Sequence, residues 1–300
     1  MAPAVYKTTF QVRSYECDAY GHLNNANYLR YMQEAAIQAS AAVGWDDARY
    51  QQIGHVWLIH ETDIEYLAPV RLGDRVEITT WVADFRRVRS RRSYELRNQN
   101  GDLVARATTD WVYLNRATGQ PASIPAAMIA DFAPPDLATP ADVTDTLRMS
   151  SSRARFPPAP PPPPGVYIHT HTVEWRDVDT EQHVNNATYL NFMEEAGFRA
   201  ARHFGWSVNR MRAEHFGIFA RRIQIEYRQQ AALNDELTIT TYLSDVKRAN
   251  STRHFIVMRA SDGALIAQAR GLYVFVNPQT AQITRLPHEI LEDFKAHIAE

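Results

Sequence analysis

Three hundred residues, 45% apolar and 22% charged, describe a globular protein with material for about two cores. The formal charge of −2 excludes a global pull toward nucleic acid or an anionic membrane, and one cysteine, Cys17, excludes an intrachain disulfide. No apolar run nears the ~20 residues a bilayer span needs, and residues 1–7 lack a charged leader with an apolar core, so no span and no signal peptide are expected; the cytoplasm is the expected compartment.

Residues 8–17 read as a strand, with Phe10 and Val12 alternating against polar neighbours. A loop follows, and Asn24 and Asn25 then stand as helix caps before a helix expected over 27–43. Tyr28, Met32, Ala35, Ala36, Ala39 and Val43 recur on one face of it, many of them small enough to admit a close neighbour. Four strands are expected next, over 56–66, 75–85, 93–98 and 103–114, with Asn100-Gly101 as the hairpin turn between the last two. A short helix is expected over 126–132.

The chain then writes this order again. A proline-rich spacer over 135–166, ending in the run from Pro157 to Pro164, favours an extended conformation. Beyond it come strand 170–175, helix 188–204, strands 217–227, 236–246, 253–259 and 264–276, and a terminal helix within 287–298. The offset that carries His22 onto His183 also carries Glu34 onto Glu195, Gly44-Trp45 onto Gly205-Trp206 and Ile64-Glu65-Tyr66 onto Ile225-Glu226-Tyr227. One residue is then inserted, and Gly101 meets Gly263, Asn115 meets Asn277 and Pro125 meets Pro287. Two repeats of this length are a duplicated domain rather than a solenoid. The expected fold class is α+β, one long helix on an antiparallel sheet in each domain, with domains over 5–134 and 167–300.

The most exact part of the repeat is Asp18-Ala-Tyr20-Gly21-His22-Leu-Asn24-Asn25-Ala-Asn-Tyr28, matched by Asp179-Thr-Glu181-Gln182-His183-Val-Asn185-Asn186-Ala-Thr-Tyr189. A loop carboxylate just ahead of a helix start is a candidate base or nucleophile, and the free amides of that helix end are candidates to hold a developing oxyanion. His22 and His183 stand between the two, placed to orient a substrate or share a proton. Asn24 and Asn185 either bind substrate or cap the helix. Asp18 and Asp179 have a local reading too, as Asx turns that stabilise the loop. Glu34 and Glu195 follow in the helix as further candidate carboxylates, or as solvated side chains.

The first copy resembles the signature of hotdog-fold thioesterases of the 4-hydroxybenzoyl-CoA thioesterase type. The second, from Trp175 through Asn186, also resembles the catalytic segment of acyl-ACP thioesterases, which are tandem hotdogs. The resemblance implies a helix wrapped by a curled sheet, two units paired as an intrachain pseudo-dimer with active sites between them, and catalytic roles for Asp18, His22, Asp179 and His183. It implies acyl-CoA or acyl-ACP as substrate and no cofactor. Glu181 departs from it, since acyl-ACP thioesterases carry there an asparagine that acts with the Asp and His. The loss of Gly21 at Gln182 is expected to alter the second loop. The second copy's surroundings nevertheless make it the expected more active one.

Other residues carry less. Cys17 has Val178 as its counterpart, which points to packing. His169 and His171 alternate on a strand, and no Cys/His cluster completes a metal shell, so no metal is expected. The run Arg86-Arg87-Val-Arg89-Ser-Arg91-Arg92 reads either as a solvated hairpin or as a grip on the phosphates of CoA or an acidic carrier, chiefly through Arg86, Arg87 and Arg91. The expected function is acyl thioester hydrolysis, with a hotdog hydratase or dehydratase and a non-catalytic acyl-binding protein as alternatives. Further pairing of chains into a homodimer of pseudo-dimers is also an expectation.

Overall fold

The computed structural model describes residues 5–132 and 156–299. The chain divides into two compact units, Met1–Arg155 and Phe156–Glu300. In the first unit β1 (Val5–Gln11) leads to α1 (Asn25–Ala42), α2 (Asp47–Gln52), β2 (His55–Tyr66), β3 (Arg75–Phe85), β4 (Arg89–Asn98), β5 (Leu103–Asn115) and α3 (Ala126–Phe132). Its strands pair antiparallel in the order β1-β3-β4-β5-β2. Helix α1 packs on β1 and β3 through Ala35, Ala36 and Ala39, whose small side chains let the sheet approach.

The second unit repeats the plan with β6 (Tyr167–Thr172), α4 (Asn186–His203), α5 (Val208–Ala213), β7 (Gly217–Tyr227), β8 (Glu236–Ser244), β9 (Asn250–Arg259), β10 (Leu265–Asn277), β11 (Gln282–Ile283) and α6 (His288–Asp293). Its antiparallel order is β7-β10-β9-β8-β6, with β11 on β10. Each unit is thus the α+β arrangement read from the sequence, a long helix on an antiparallel sheet. The cores correspond as well. Trp45 is buried with its Nε1 donating to Asp131 Oδ2 at 2.8 Å, and Trp206 donates to Asp293 Oδ2 at 2.9 Å. Arg49 lies 3.6 Å over the first indole and Arg210 3.8 Å over the second. Among the described residues no helix is long and apolar enough to cross a membrane.

Three differences from the sequence reading matter for the site. The first strand of each unit begins and ends earlier than the alternation implies, because a single 3₁₀ turn, Ser14–Glu16 and Trp175–Asp177, separates it from the loop. Strands β4 and β9 start at Arg89 and Asn250, ahead of the expected 93 and 253, since Arg89, Arg91 and Arg92 in one unit and Asn250, Ser251 and Thr252 in the other pair in the ladder. Of the expected spacer, residues 135–155 lie outside the described residues. Phe156 to Gly165 lies in the second unit, where Pro160 O accepts from Tyr242 Oη at 2.7 Å. Gly165 ends this strap against Ala296, whose carbonyl oxygen would stand 2.5 Å from any added Cβ. The buried His297 fastens it, its Nδ1 donating to Gly165 O at 2.9 Å while Nε2 accepts from Arg253 Nη1 at 3.3 Å.

Candidate active site

In the first unit the backbone folds the motif into a tight loop. Cys17 bridges Leu23, Asp18 N donates to His22 O at 2.7 Å, and Gly21 N donates to Asp18 O at 3.0 Å. The Asp18 carboxylate caps this loop from inside, with Oδ1 accepting from Tyr20 N at 2.8 Å and His22 N at 3.0 Å. The Asx turn is therefore present, and it leaves Oδ2 with no hydrogen bond among the described residues. The turn reading of Asp18 therefore holds, and it engages only one of the two carboxylate oxygens. Asn24 caps α1, its Oδ1 accepting from Ala26 N at 3.0 Å. His22 is half-buried; desolvation pushes its imidazole below the ordinary range and Arg71 adds to the shift, while Asp18 pulls the other way.

The second loop superimposes its hydrogen bonds on the first. Asp179 N donates to His183 O, and Gln182 N to Asp179 O, both at 3.0 Å. Asp179 Oδ1 accepts from Glu181 N at 3.0 Å, but Oδ2 also accepts from Asn185 Nδ2 at 3.2 Å. Asn185 thus works twice, since its Oδ1 caps α4 through Ala187 N at 3.0 Å. The buried Nδ1 of His183 has no hydrogen-bond partner among the described residues. A carboxylate, an imidazole and an open helix end are brought together in this unit.

The expected change of loop shape at Gln182 does not occur. Gln182 takes φ 64°, close to the 78° of Gly21, so the ring of hydrogen bonds around Asp179 imposes a left-handed residue even where a side chain disfavours it. Gln182→Gly is expected to raise stability by about 1 kcal/mol by relieving that strain; a lowered midpoint in denaturant unfolding would show that the Gln side chain is needed instead.

The remaining candidates lie elsewhere. Glu34 is exposed and accepts from Gln38, and Glu195 is exposed and paired with Arg199 at 2.6 Å. Arg86 is exposed and paired with Asp84 at 3.2 Å, with Arg87 exposed beside it. Their hairpin stands at the Phe85 end of β3, roughly 33 Å of strand away from Arg75 at the motif end. Arg91 is buried and bidentate on Asp110, Nε to Oδ1 at 2.8 Å and Nη2 to Oδ2 at 3.0 Å. Its fork is committed inside the sheet.

One pair of positioning residues escaped the sequence reading. Glu16 is buried, and its Oε2 accepts from Tyr31 Oη at 2.6 Å and Arg13 N at 2.8 Å, while its carbonyl accepts from Asn24 N and Asn27 Nδ2. Asp177, its counterpart, accepts from His171 Nε2 and Glu174 N, both at 2.9 Å, and its carbonyl takes Asn185 N. The Glu16 carboxylate ties its turn to α1 and the Asp177 carboxylate ties its turn to β6, while in both the backbone carbonyl holds the helix-capping asparagine. The signal was an acid two residues ahead of each motif Asp. Their partners gave none, because the donor moves from α1 in one unit to β6 in the other.

Both units resemble known proteins. Residues 3–132 match the acyl-ACP thioesterase N-terminal domain, and residues 173–294 match the thioesterase-like superfamily. The long-chain acyl-CoA thioesterase FadM of Escherichia coli is 32% identical over 118 residues, which cover 38% of this chain and 86% of FadM. A palmitoyl-acyl carrier protein thioesterase of Gossypium hirsutum is 24% identical over 284 residues, covering 89% of this chain and 63% of its own. The chain spans about half the length of the curated plant relatives it matches. The solved 12:0-ACP thioesterase of Umbellularia californica shares the fold, with a TM-score of 0.69, 20% identity, and coverage of 90% of this chain and 94% of that one.

Proposed function

The chain belongs to the hotdog-fold thioesterases of the thioesterase-like superfamily, and from that premise we propose that it hydrolyses acyl thioesters, releasing a carboxylic acid from acyl-CoA, or from acyl-ACP as the second carrier. The observation that supports this most is the twice-built loop in which a motif Asp, a His and a capping Asn run directly into a helix N-terminus.

In this reading the Asp carboxylate takes a proton from water as the water oxygen attacks the thioester carbonyl carbon, or attacks that carbon itself. The developing oxyanion lies toward the helix end, where amides such as that of Asn186 meet it. On the base branch collapse breaks the C–S bond, and the proton held by Asp passes to the departing thiolate. On the nucleophile branch collapse leaves a mixed anhydride on Asp. A water then cleaves it, releasing the carboxylic acid, restoring the carboxylate and supplying the proton that the thiolate takes. Burial pushes the His22 imidazole toward its uncharged form and His183 offers a buried Nδ1, so each imidazole serves as a hydrogen-bond partner that orients the thioester. Glu16 and Asp177 act through the loops they fasten.

Release of free thiol from a panel of acyl-CoAs, with enoyl-CoA hydration measured alongside, tests the proposal. Thiol release without hydration is expected. Hydration without thiol release would replace the reading with a hydratase, and binding without either reaction would replace it with an acyl-binding protein.

A further inference from the structure

The duplication allows the two motif ends to be compared position by position on one backbone frame. In the first unit the turn between β2 and β3 is tied to β1 and to the motif loop. Gly73 N donates to Val12 O at 3.0 Å, Val12 N to Asp74 O at 2.9 Å, Gln11 faces Arg75 across the sheet, and His22 bridges Arg71. The second unit has the same bonds, Asn234 N to Val173 O at 3.0 Å and Val173 N to Asp235 O at 2.9 Å, with Thr172 facing Glu236. The side chains on that frame reverse their charge at two positions and lose it at a third. Arg13 becomes Glu174, Arg71 becomes Ala232 and Arg75 becomes Glu236.

All three arginines are exposed. Arg13 stands 3.6 Å from the buried Glu16, whereas Arg71 and Arg75 make no ion pair among the described residues. The nearest acid on the turn, Asp74, spends its oxygens on Arg71 N at 2.8 Å and Gln99 Nε2 at 3.1 Å. The field of Arg71 already reaches the loop, since it helps push the His22 imidazole down. At the other motif end Glu174 and Glu236 join Asp177, Asp179, Glu181 and Asp235, and the neighbouring Arg176 is paired with Glu174 at 2.8 Å. Unspent cations beside a reactive loop attract and hold anions, and an acidic counterpart on the same frame repels them.

We infer that Arg13, Arg71 and Arg75 form a phosphate-binding surface for the nucleotide handle of CoA at the motif end of the first unit, and that the second unit's motif end lacks one. This deepens the thioesterase reading and rests on it for the identity of the handle. The hairpin arginines Arg86 and Arg87 are the competing location.

Calorimetric titration of the full chain with CoA and with pantetheine, which lacks every phosphate, tests the assignment without using turnover. At low ionic strength Arg71→Ala with Arg75→Ala is expected to weaken CoA about tenfold, the order of losing two charge-assisted contacts, and to leave pantetheine unchanged. Added salt should shrink the difference. Glu174→Ala with Glu236→Ala should leave CoA within twofold. Unchanged CoA affinity in the Arg71/Arg75 variant, equal loss for both ligands, loss only with Arg86→Ala and Arg87→Ala, or no CoA binding by the native chain would each overturn the inference. A chain that binds CoA in this manner yet releases no thiol would instead remove the hydrolase reading and leave the phosphate surface standing.

Discussion

Asp179→Asn and Asp18→Asn are each expected to lower thioester turnover, with the larger share lost at Asp179. The substitution keeps side-chain size and most hydrogen bonding, so Oδ1 can go on accepting from Glu181 N in one loop, and from Tyr20 N and His22 N in the other. What disappears is the negative oxygen that takes a proton or attacks carbon. Asp179 has both oxygens oriented, the first by Glu181 N at 3.0 Å and the second by Asn185 at 3.2 Å, and the same motif carries the buried, unpartnered Nδ1 of His183. Turnover of one acyl-CoA by each single variant would measure the division of labour directly. Equal halving would mean two equivalent sites, and a loss confined to Asp18→Asn would reverse the ranking.

Asp110→Leu should cost the first unit about 3–5 kcal/mol, since it strands the buried guanidinium of Arg91 without its only carboxylate in bidentate contact. The second unit shows how the pair can be removed safely. At the matching cross-strand positions it carries Thr252 opposite Leu272. Arg91→Thr combined with Asp110→Leu is therefore expected to recover most of the lost stability in denaturant unfolding. If the double variant is as unstable as Asp110→Leu alone, the loss comes from strand packing and not from an unpaired charge. The same pair of experiments separates a structural Arg91 from a phosphate-binding one, because affinity for CoA should follow Arg71 and Arg75 instead.

The architecture was legible because periodicity and duplication reinforce each other. The small-residue face of α1 recurs in α4, and both helices begin where the asparagine caps stand, at Asn24 and Asn185. What the sequence obscured were places where a local pattern has two physical solutions. A run of arginines at 86–92 has the composition of a solvated turn, yet Arg91 finds Asp110 across the ladder and Arg92 is buried in the sheet with Thr80 Oγ1 at 3.4 Å. The replacement of Gly21 by Gln182 suggested a rebuilt loop, but hydrogen bonds from neighbouring backbone outweigh the cost of one left-handed residue. For Asp18 the turn and the proposed chemistry are not exclusive, because the turn engages Oδ1 and the proposal calls on Oδ2. The anchors Glu16 and Asp177 were hidden for a different reason. Their donors, Tyr31 and His171, come from different elements, and only coordinates reveal that both perform one task.

The most direct measurement is free-thiol release from a single acyl-CoA by the native chain and by the Asp18→Asn/Asp179→Asn double variant, with the unfolding midpoints of both recorded. Loss of a base or nucleophile in both loops predicts a fall on the order of 10²–10⁴ at a nearly unchanged midpoint. Full thiol release by the folded double variant would contradict the assignment of the motif carboxylates to the chemistry.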